Sequence, residues 1–248
     1  MSRLPYEVGG PIGTHGTLGL IVLQVDETVE QDFRRLFPPE VALHVSRIPS
    51  GADLNPDTIS EMEHALPQAA RLLPPAAEFG ALGYACTSGA TLIGAARVAD
   101  LVKSATGSGA VTDPLTAAIT ALRALGSRSV AIVSPYIETV AQPIRGAFEA
   151  AGLAVPDALS FGEEVEARVA RIDAASVRAA ARMAAESGAE AIFLSCTNLR
   201  TLDVIDELEG ELDRPVLSSN LVLAWHMARL GDAPLSQDAP GLLSRRGA

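Results

Sequence analysis

The sequence predicts an α/β protein of two pseudo-symmetric lobes, each a parallel sheet flanked by helices, with the active site in the cleft between them. Three observations lead there. Short apolar runs alternate with helical patterns along all 248 residues, the grammar of parallel strands joined by crossover helices. That grammar restarts after Asp113, so two similar units follow one another. One phrase also occurs in both units: Ala85-Cys86-Thr87-Ser88-Gly89-Ala90-Thr91-Leu92 and Ser195-Cys196-Thr197-Asn198-Leu199-Arg200-Thr201-Leu202 share Cys-Thr, three free positions, then Thr-Leu.

Taken in order, the first strand is expected over 18–25, followed by an acidic loop, 26–30, and a helix that stops before Pro38-Pro39. A second strand alternates over 41–48. Asn55-Pro56-Asp57-Thr58 reads as a cap with proline in the first turn of a helix running to about Leu73. The third strand, 79–85, leads into the first cysteine, a helix over 91–102 and a short buried strand over 109–112. The second unit repeats this: helix 114–125, strand 129–134, helix 137–151 ended by Gly152, and a short strand over 153–159. The charged, irregular stretch 161–171 is either a lid over the crevice or a solvated face. An alanine-rich helix, 173–187, the strand 189–195, a helix over 202–212, a strand over 215–217 and a helix over 221–230 complete the pattern. The Pro-, Gly-, Ser- and Arg-rich tail from Gly231 is expected to be loose. We place the first lobe at 1–112 plus 217–248 and the second at 113–216, on the expectation that the last strand and helix return to the first half.

Composition narrows the function. Apolar residues at 48% and charged residues at 20% suit a globular chain with a full core. A net charge of −11 argues against nucleic acid as a partner, because phosphates need a basic face. No apolar run approaches the roughly 20 residues that span a bilayer, and residues 1–10 lack the basic start and apolar segment of a secretory signal. A cytoplasmic location, a small-molecule partner and no membrane are therefore expected, with homo-oligomerisation left open.

Cys86 and Cys196 are the only cysteines in the chain, and each ends an apolar run ahead of a helical pattern. In an open α/β sheet the crevice lies at the carboxyl ends of the strands, so two such units facing each other would aim both sulfurs at one cleft. A cysteine taken alone is just as well explained as a small buried hydrophobe. A structural disulfide is disfavoured in a cytosolic α/β protein. Zinc is disfavoured too, because His15, His44, His64 and His226 are scattered with no paired-ligand spacing. Thr87, Ser88, Thr197 and Asn198 are small or polar residues entering a helix, where N–H groups and hydroxyls can cradle a carboxylate and lower a thiol pKa. No dinucleotide fingerprint or phosphate loop occurs, so no cofactor is expected.

Gly83-Tyr84-Ala85-Cys86-Thr87-Ser88, Thr120 to Gly126 followed by Val130 to Ile137, and Leu194 to Leu202 with Arg214 to Ser219 downstream resemble the aspartate/glutamate racemase superfamily. Within it, the chain is similar to the branch of maleate cis-trans isomerases, arylmalonate decarboxylases and ectoine-utilisation isomerase-like proteins. The resemblance covers nearly the whole chain. It implies two flavodoxin-like lobes and cofactor-free catalysis, with Cys86 and Cys196 as the catalytic pair. It also implies that Thr87 and Ser88 hold a carboxylate to which Tyr136 donates its phenol O–H, although a tyrosine at a strand end is often simply packed with its hydroxyl wet.

Two departures bear on the reaction. Arylmalonate decarboxylases carry glycine where this chain has Cys86, which disfavours decarboxylation here. Maleate isomerases follow the first strand with Pro-Ser-Ser-Asn, whose asparagine binds a carboxylate, whereas this chain reads Val25-Asp26-Glu27-Thr28. Asp26 would repel a second carboxylate and accept from an ammonium or amide group, or it simply caps the next helix. The expected function is a two-cysteine racemase or cis-trans isomerase acting on a small carboxylic acid, an amino-acid derivative as in ectoine utilisation. A maleate isomerase, an arylmalonate-type decarboxylase and a non-catalytic carboxylate-binding protein stand as alternatives.

Overall fold

The computed structural model describes residues 3–51 and 56–246. The first half runs β1 (Thr17–Leu23), α1 (Val29–Leu36), β2 (Ala42–Ile48), α2 (Pro56–Arg71), β3 (Ala81–Ala85), α3 (Thr87–Ile93), α4 (Ala95–Thr106), β4 (Val111–Thr112) and α5 (Pro114–Leu125). The second runs β5 (Val130–Ser134), α6 (Glu138–Ala150), β6 (Ala158–Ser160), α7 (Glu166–Val169), α8 (Ala174–Ala185), β7 (Ala191–Leu194), α9 (Leu202–Leu212), β8 (Val216–Ser218), α10 (Ser219–Leu230) and α11 (Gly241–Arg245). The strand orders are β2-β1-β3-β4 and β6-β5-β7-β8, the same permutation twice, and every pairing is parallel. Helices cover the faces of such sheets, so the central strands are apolar on both sides. Leu18 to Leu23 of β1 and all of β3, β5 and β7 are buried accordingly.

The register fixes where the cysteines lie. Ala85 pairs with Val22, and Leu194 with Val133, so Cys86 and Cys196 follow the third strand of their sheets at equivalent carboxyl ends. Each sheet reverses direction of strand addition between its first and third strands, the place where α/β proteins form their crevice.

Several elements are cut more sharply than the pattern suggests. Asp113 caps α5 by accepting from the N–H groups of Leu115 and Thr116, Pro114 occupies the first turn, and Gly126 closes the helix in the left-handed region. These are ordinary start and stop signals, and this helix matches its expected limits. The helix expected over 91–102 begins instead at Thr87, with Cys86 as its N-cap, and breaks at Gly94, whose φ of 95° suits glycine. The run Thr87-Ser88-Gly89-Ala90 has no amphipathic period, which hid this start. The cap expected at Asn55 lies outside the described residues.

Three larger expectations are corrected. The last strand, β8, pairs with β7 and stays in the second sheet. Only the helix after it crosses over, and α10 packs against β3, α1 and α5. The tail is not loose: the N–H groups of Gly241 and Leu242 donate to Asp206 and Glu209, Arg245 pairs with both carboxylates, and Leu243 is fully buried. Stretch 161–171 is not simply a solvated face, because it contains α7 and turns Glu166 inward.

Candidate active site

Cys86 leaves β3 with extended backbone (φ −151°, ψ 111°) and caps α3, its sulfur accepting from the Gly89 N–H at 3.1 Å. The Ser88 hydroxyl lies 3.5 Å from the same sulfur. Gly89 is required for this approach: a Cβ there would sit 2.5 Å from the Tyr84 hydroxyl and 2.9 Å from the Cys86 sulfur. Cys86 is 2% exposed. Burial pushes its thiol up to about 11, and the Ser88 and Gly89 hydrogen bonds pull it back only in part. The thiol depression expected from a helix N-terminus is thus overturned in this closed site, because desolvation disfavours the thiolate more than two donors favour it.

Cys196 occupies the equivalent strand end but not an equivalent turn. Its φ is 127°, a region that L residues rarely adopt, and residues 197–201 separate it from α9. Thr197 and Asn198 therefore do not enter a helix as expected. The Cys196 N–H donates to the Ser219 hydroxyl at 2.9 Å, and that hydroxyl lies 2.8 Å from the Thr87 hydroxyl. Thr197 donates to the Ala85 carbonyl at 3.3 Å. Residues adjoining the two cysteines are thereby bonded across the lobes. Burial drives the Cys196 thiol well up, followed by the charge of Glu166, while Tyr136 and the Asn198 N–H act in the opposite direction.

Tyr136 lies near both. It is buried, and burial raises its phenol well above the ordinary value, with the nearby Cys196 and Cys86 thiols opposing its ionisation further. It also borders a cleft of about 290 Å3 with Glu138, Gln142, Arg145 and Phe161. Asn198 is held on three sides: its Oδ1 accepts from the Glu27 N–H, its Nδ2 donates to the Glu166 carboxylate at 2.8 Å and to the Glu166 carbonyl. Asp26 accepts through Oδ1 from the N–H groups of Thr28 and Val29, both at 2.8 Å, a side-chain turn that leads into α1, whose N-cap is Thr28. Its Oδ2 is buried beside Thr197 with no hydrogen-bond partner.

The structure thus brings Cys86, Thr87, Ser88, Tyr136, Thr197, Asn198 and Asp26 into one contiguous region. The side chains of Thr87 and Thr197 are spent on bonds between lobes. For a carboxylate, what remains is the N–H groups of Thr87 and Ser88, which have no intrahelical acceptor, with the Ser88 hydroxyl and Tyr136 beside them. Two residues escaped the sequence reading. Ser219 joins the two cysteine loops and lies at the end of a stretch that the resemblance had picked out. Glu166, 4% exposed and raised by burial from 4.5 to about 7, carried no signal within a charged run. Two thiols, a phenol and a buried acid around one point can remove a proton from one face of a small molecule and deliver one to the other.

Comparison with known proteins agrees with this geometry. The sequence profile of the arylmalonate decarboxylase family matches residues 19–243. Arylmalonate decarboxylase of Bordetella bronchiseptica is 32% identical over 224 residues, covering 86% of this chain and 90% of that protein. Maleate isomerase of Nocardia farcinica is 32% identical over 133 residues, about half of each chain. Among solved structures, a glycine-to-cysteine, cysteine-to-serine double mutant of arylmalonate decarboxylase superposes with a TM-score of 0.82 at 29% identity, over 92% of this chain and 98% of that one. A cysteine-to-serine mutant of the Nocardia maleate isomerase, holding a covalent succinylcysteine intermediate, superposes with a TM-score of 0.82 at 24% identity, over 94% and 99%.

Proposed function

The chain belongs to the arylmalonate decarboxylase family, and from that premise we propose that it is a cofactor-independent isomerase that works on a small carboxylic acid with Cys86 and Cys196. The observation that carries this reading is the pair of free, buried cysteines at equivalent ends of two equivalent sheets. A binding protein has no need of the second thiol, and a one-cysteine decarboxylase has no need of Cys86.

Two reactions fit. In racemisation, one thiolate takes the α-proton and becomes a thiol, while the opposite thiol gives its proton to the other face and becomes the thiolate. The N–H groups of Thr87 and Ser88 and the Tyr136 O–H stabilise the enolate-like charge between these steps. In cis-trans isomerisation, the Cys86 thiolate adds to the double bond, the new single bond rotates, and elimination restores the thiolate with the trans alkene, Cys196 handling a proton. The succinylcysteine of the Nocardia maleate isomerase is an adduct of the second kind. Within either reaction, Asp26 favours an amino-acid derivative over a diacid.

Proton NMR in deuterated water tests the reading, with 2-amino acids, N-acyl amino acids, maleate and an arylmalonate as substrates. Loss of an α-proton signal or conversion of cis to trans alkene is expected, unaffected by EDTA or dialysis. Carbon dioxide release from the arylmalonate with neither of these would make the chain a decarboxylase, and binding without any turnover would make it a carboxylate-binding protein.

A further inference from the structure

The Cys196 side of the site holds two carboxyl groups that no buried cation offsets among the described residues. Asp26 is 3% exposed and acts on the Cys196 thiol, and its Oδ2 makes no close hydrogen bond, because the Thr197 hydroxyl beside it is directed to the Ala85 carbonyl. Glu166 faces the same thiol from α7, fixed by Asn198. Of the nearby cations, Arg200 is exposed beside Glu27, and Arg47 and Arg171 are committed at the rim. Arg47 donates to the carbonyls of Leu23, Gln24 and Asp26 and pairs with Glu30 at 2.5 Å, and Arg171 pairs with Glu27 at 2.8 Å. A buried carboxylate oxygen without a donor is costly and calls for a partner. The Cys86 side presents donors instead: the N–H groups of Thr87 and Ser88 and the Ser88 hydroxyl.

We propose that Asp26 and Glu166 form a subsite for the cationic end of the substrate, a protonated amine or amidine, so that the enzyme takes a small zwitterion whose carboxylate faces the Cys86 side. This rests on the two-cysteine reading and names its substrate class. Acceptors on one side and donors on the other fix the ligand's direction between the thiols. Burial chiefly raises the Cys196 thiol, and a cation placed there neutralises the two charges that add to it, so the ligand eases ionisation of the thiol it must meet. A diacid does the reverse, adding negative charge beside an unpaired carboxylate.

The test is calorimetric binding of matched ring acids: proline and pipecolate against tetrahydrofuran-2-carboxylate and tetrahydropyran-2-carboxylate, with maleate as the diacid. Each pair keeps ring size and carboxylate and differs in the charged nitrogen. The wild type is expected to prefer the nitrogen member of at least one pair by tenfold or more and to bind maleate more weakly still. Asp26→Asn keeps the turn into α1, since an amide oxygen accepts the same two N–H bonds, and Glu166→Gln leaves α1 untouched. Both should bring the preference toward unity and strengthen maleate binding. Equal affinity within both pairs, tighter maleate binding by the wild type, or no binding of either nitrogen acid overturns the subsite. Because binding is read without turnover, a failure of the cysteine chemistry leaves this result unaffected, and a failure here leaves the cysteine chemistry standing.

Discussion

The two cysteine turns occupy matching places in matching sheets, yet they differ in nearly every physical respect. Cys86 has relaxed extended backbone and begins its helix, so a backbone N–H meets its sulfur. Cys196 has a φ of 127°, precedes its helix by a turn, and is surrounded by Tyr136, Glu166 and Asp26. Topological symmetry therefore does not make the thiols equivalent. Burial raises both thiols; Ser88 and the Gly89 N–H oppose it at Cys86, and Tyr136 and the Asn198 N–H oppose it at Cys196, where the charges of Glu166 and Asp26 add to it. On the proposed two-cysteine reading, this makes Cys86 the better placed thiolate and Cys196 the better placed proton donor.

The strongest way to break this assignment is to remove each sulfur. Cys86→Ser and Cys196→Ser should each lower turnover by about 10² to 10⁴, the range for a positioned acid or base, with little change in melting temperature because serine is nearly isosteric. Their residual chemistry should differ. Cys196→Ser keeps the first half-reaction, seen as one-sided proton exchange or a trapped adduct on Cys86, while Cys86→Ser loses both. Equal residual exchange in the two variants would mean that the thiols are interchangeable and that the differences in backbone and charge have no catalytic consequence.

The second contrast is electrostatic and shows as pH-dependent stability. Glu166 rises from 4.5 to about 7, chiefly by burial. Asp32 rises from 3.8 to about 7 for the same reason, and it supports the Cys196 turn through Asn220, which donates to both Asp32 and the Thr197 carbonyl. A raised carboxyl pKa means that the folded protein holds a proton that the unfolded chain has released. The stabilising contribution is complete below about pH 4 and is lost as pH rises to 7. The loss is at most about 3 to 4 kcal/mol for Glu166 and about 4 to 5 kcal/mol for Asp32, taking roughly 1.4 kcal/mol per pKa unit. Urea denaturation between pH 5 and 8 should show the wild type weakening with rising pH, and Glu166→Gln with Asp32→Asn should flatten that slope. A slope unchanged in the double variant would remove these acids from the account of the Cys196 side.

Much of the scaffold was legible because its signals are local. Parallel strands buried on both faces read as apolar runs, and α5 carries its own start and stop in Asp113-Pro114 and Gly126. The paired Cys-Thr phrases located the site for the same reason. What escaped depends on contacts made far along the chain. Glu166 is buried only because Asn198, 32 residues later, bonds to it. The tail packs because Asp206 and Glu209 accept from its backbone. The early start of α3 was hidden by small residues without a period, and the strained Cys196 turn has no marker in its neighbours' identities.

That strain offers the finest test of the comparison, because it can be measured without any substrate. At a positive φ an alanine bears the steric cost of its Cβ and a glycine does not, whereas in ordinary extended backbone glycine mainly frees the unfolded chain. Cys196→Gly should therefore be more stable than Cys196→Ala by about 1 kcal/mol, the lower end of the cost of such a conformation. Cys86 is the N-cap of α3, where glycine is favoured over alanine, and this opposes glycine's usual cost in extended backbone, so Cys86→Gly and Cys86→Ala should differ by less than about 0.5 kcal/mol. Both pairs delete the same sulfur, so lost packing and lost polarity cancel within each pair and only the backbone contribution remains. Urea denaturation of the four variants at one pH reads these differences directly. A clear glycine advantage at Cys196 with little difference at Cys86 would place stored strain at the Cys196 turn alone, and equal differences at both positions would show that the turns differ in charge and hydrogen bonding but not in backbone energy.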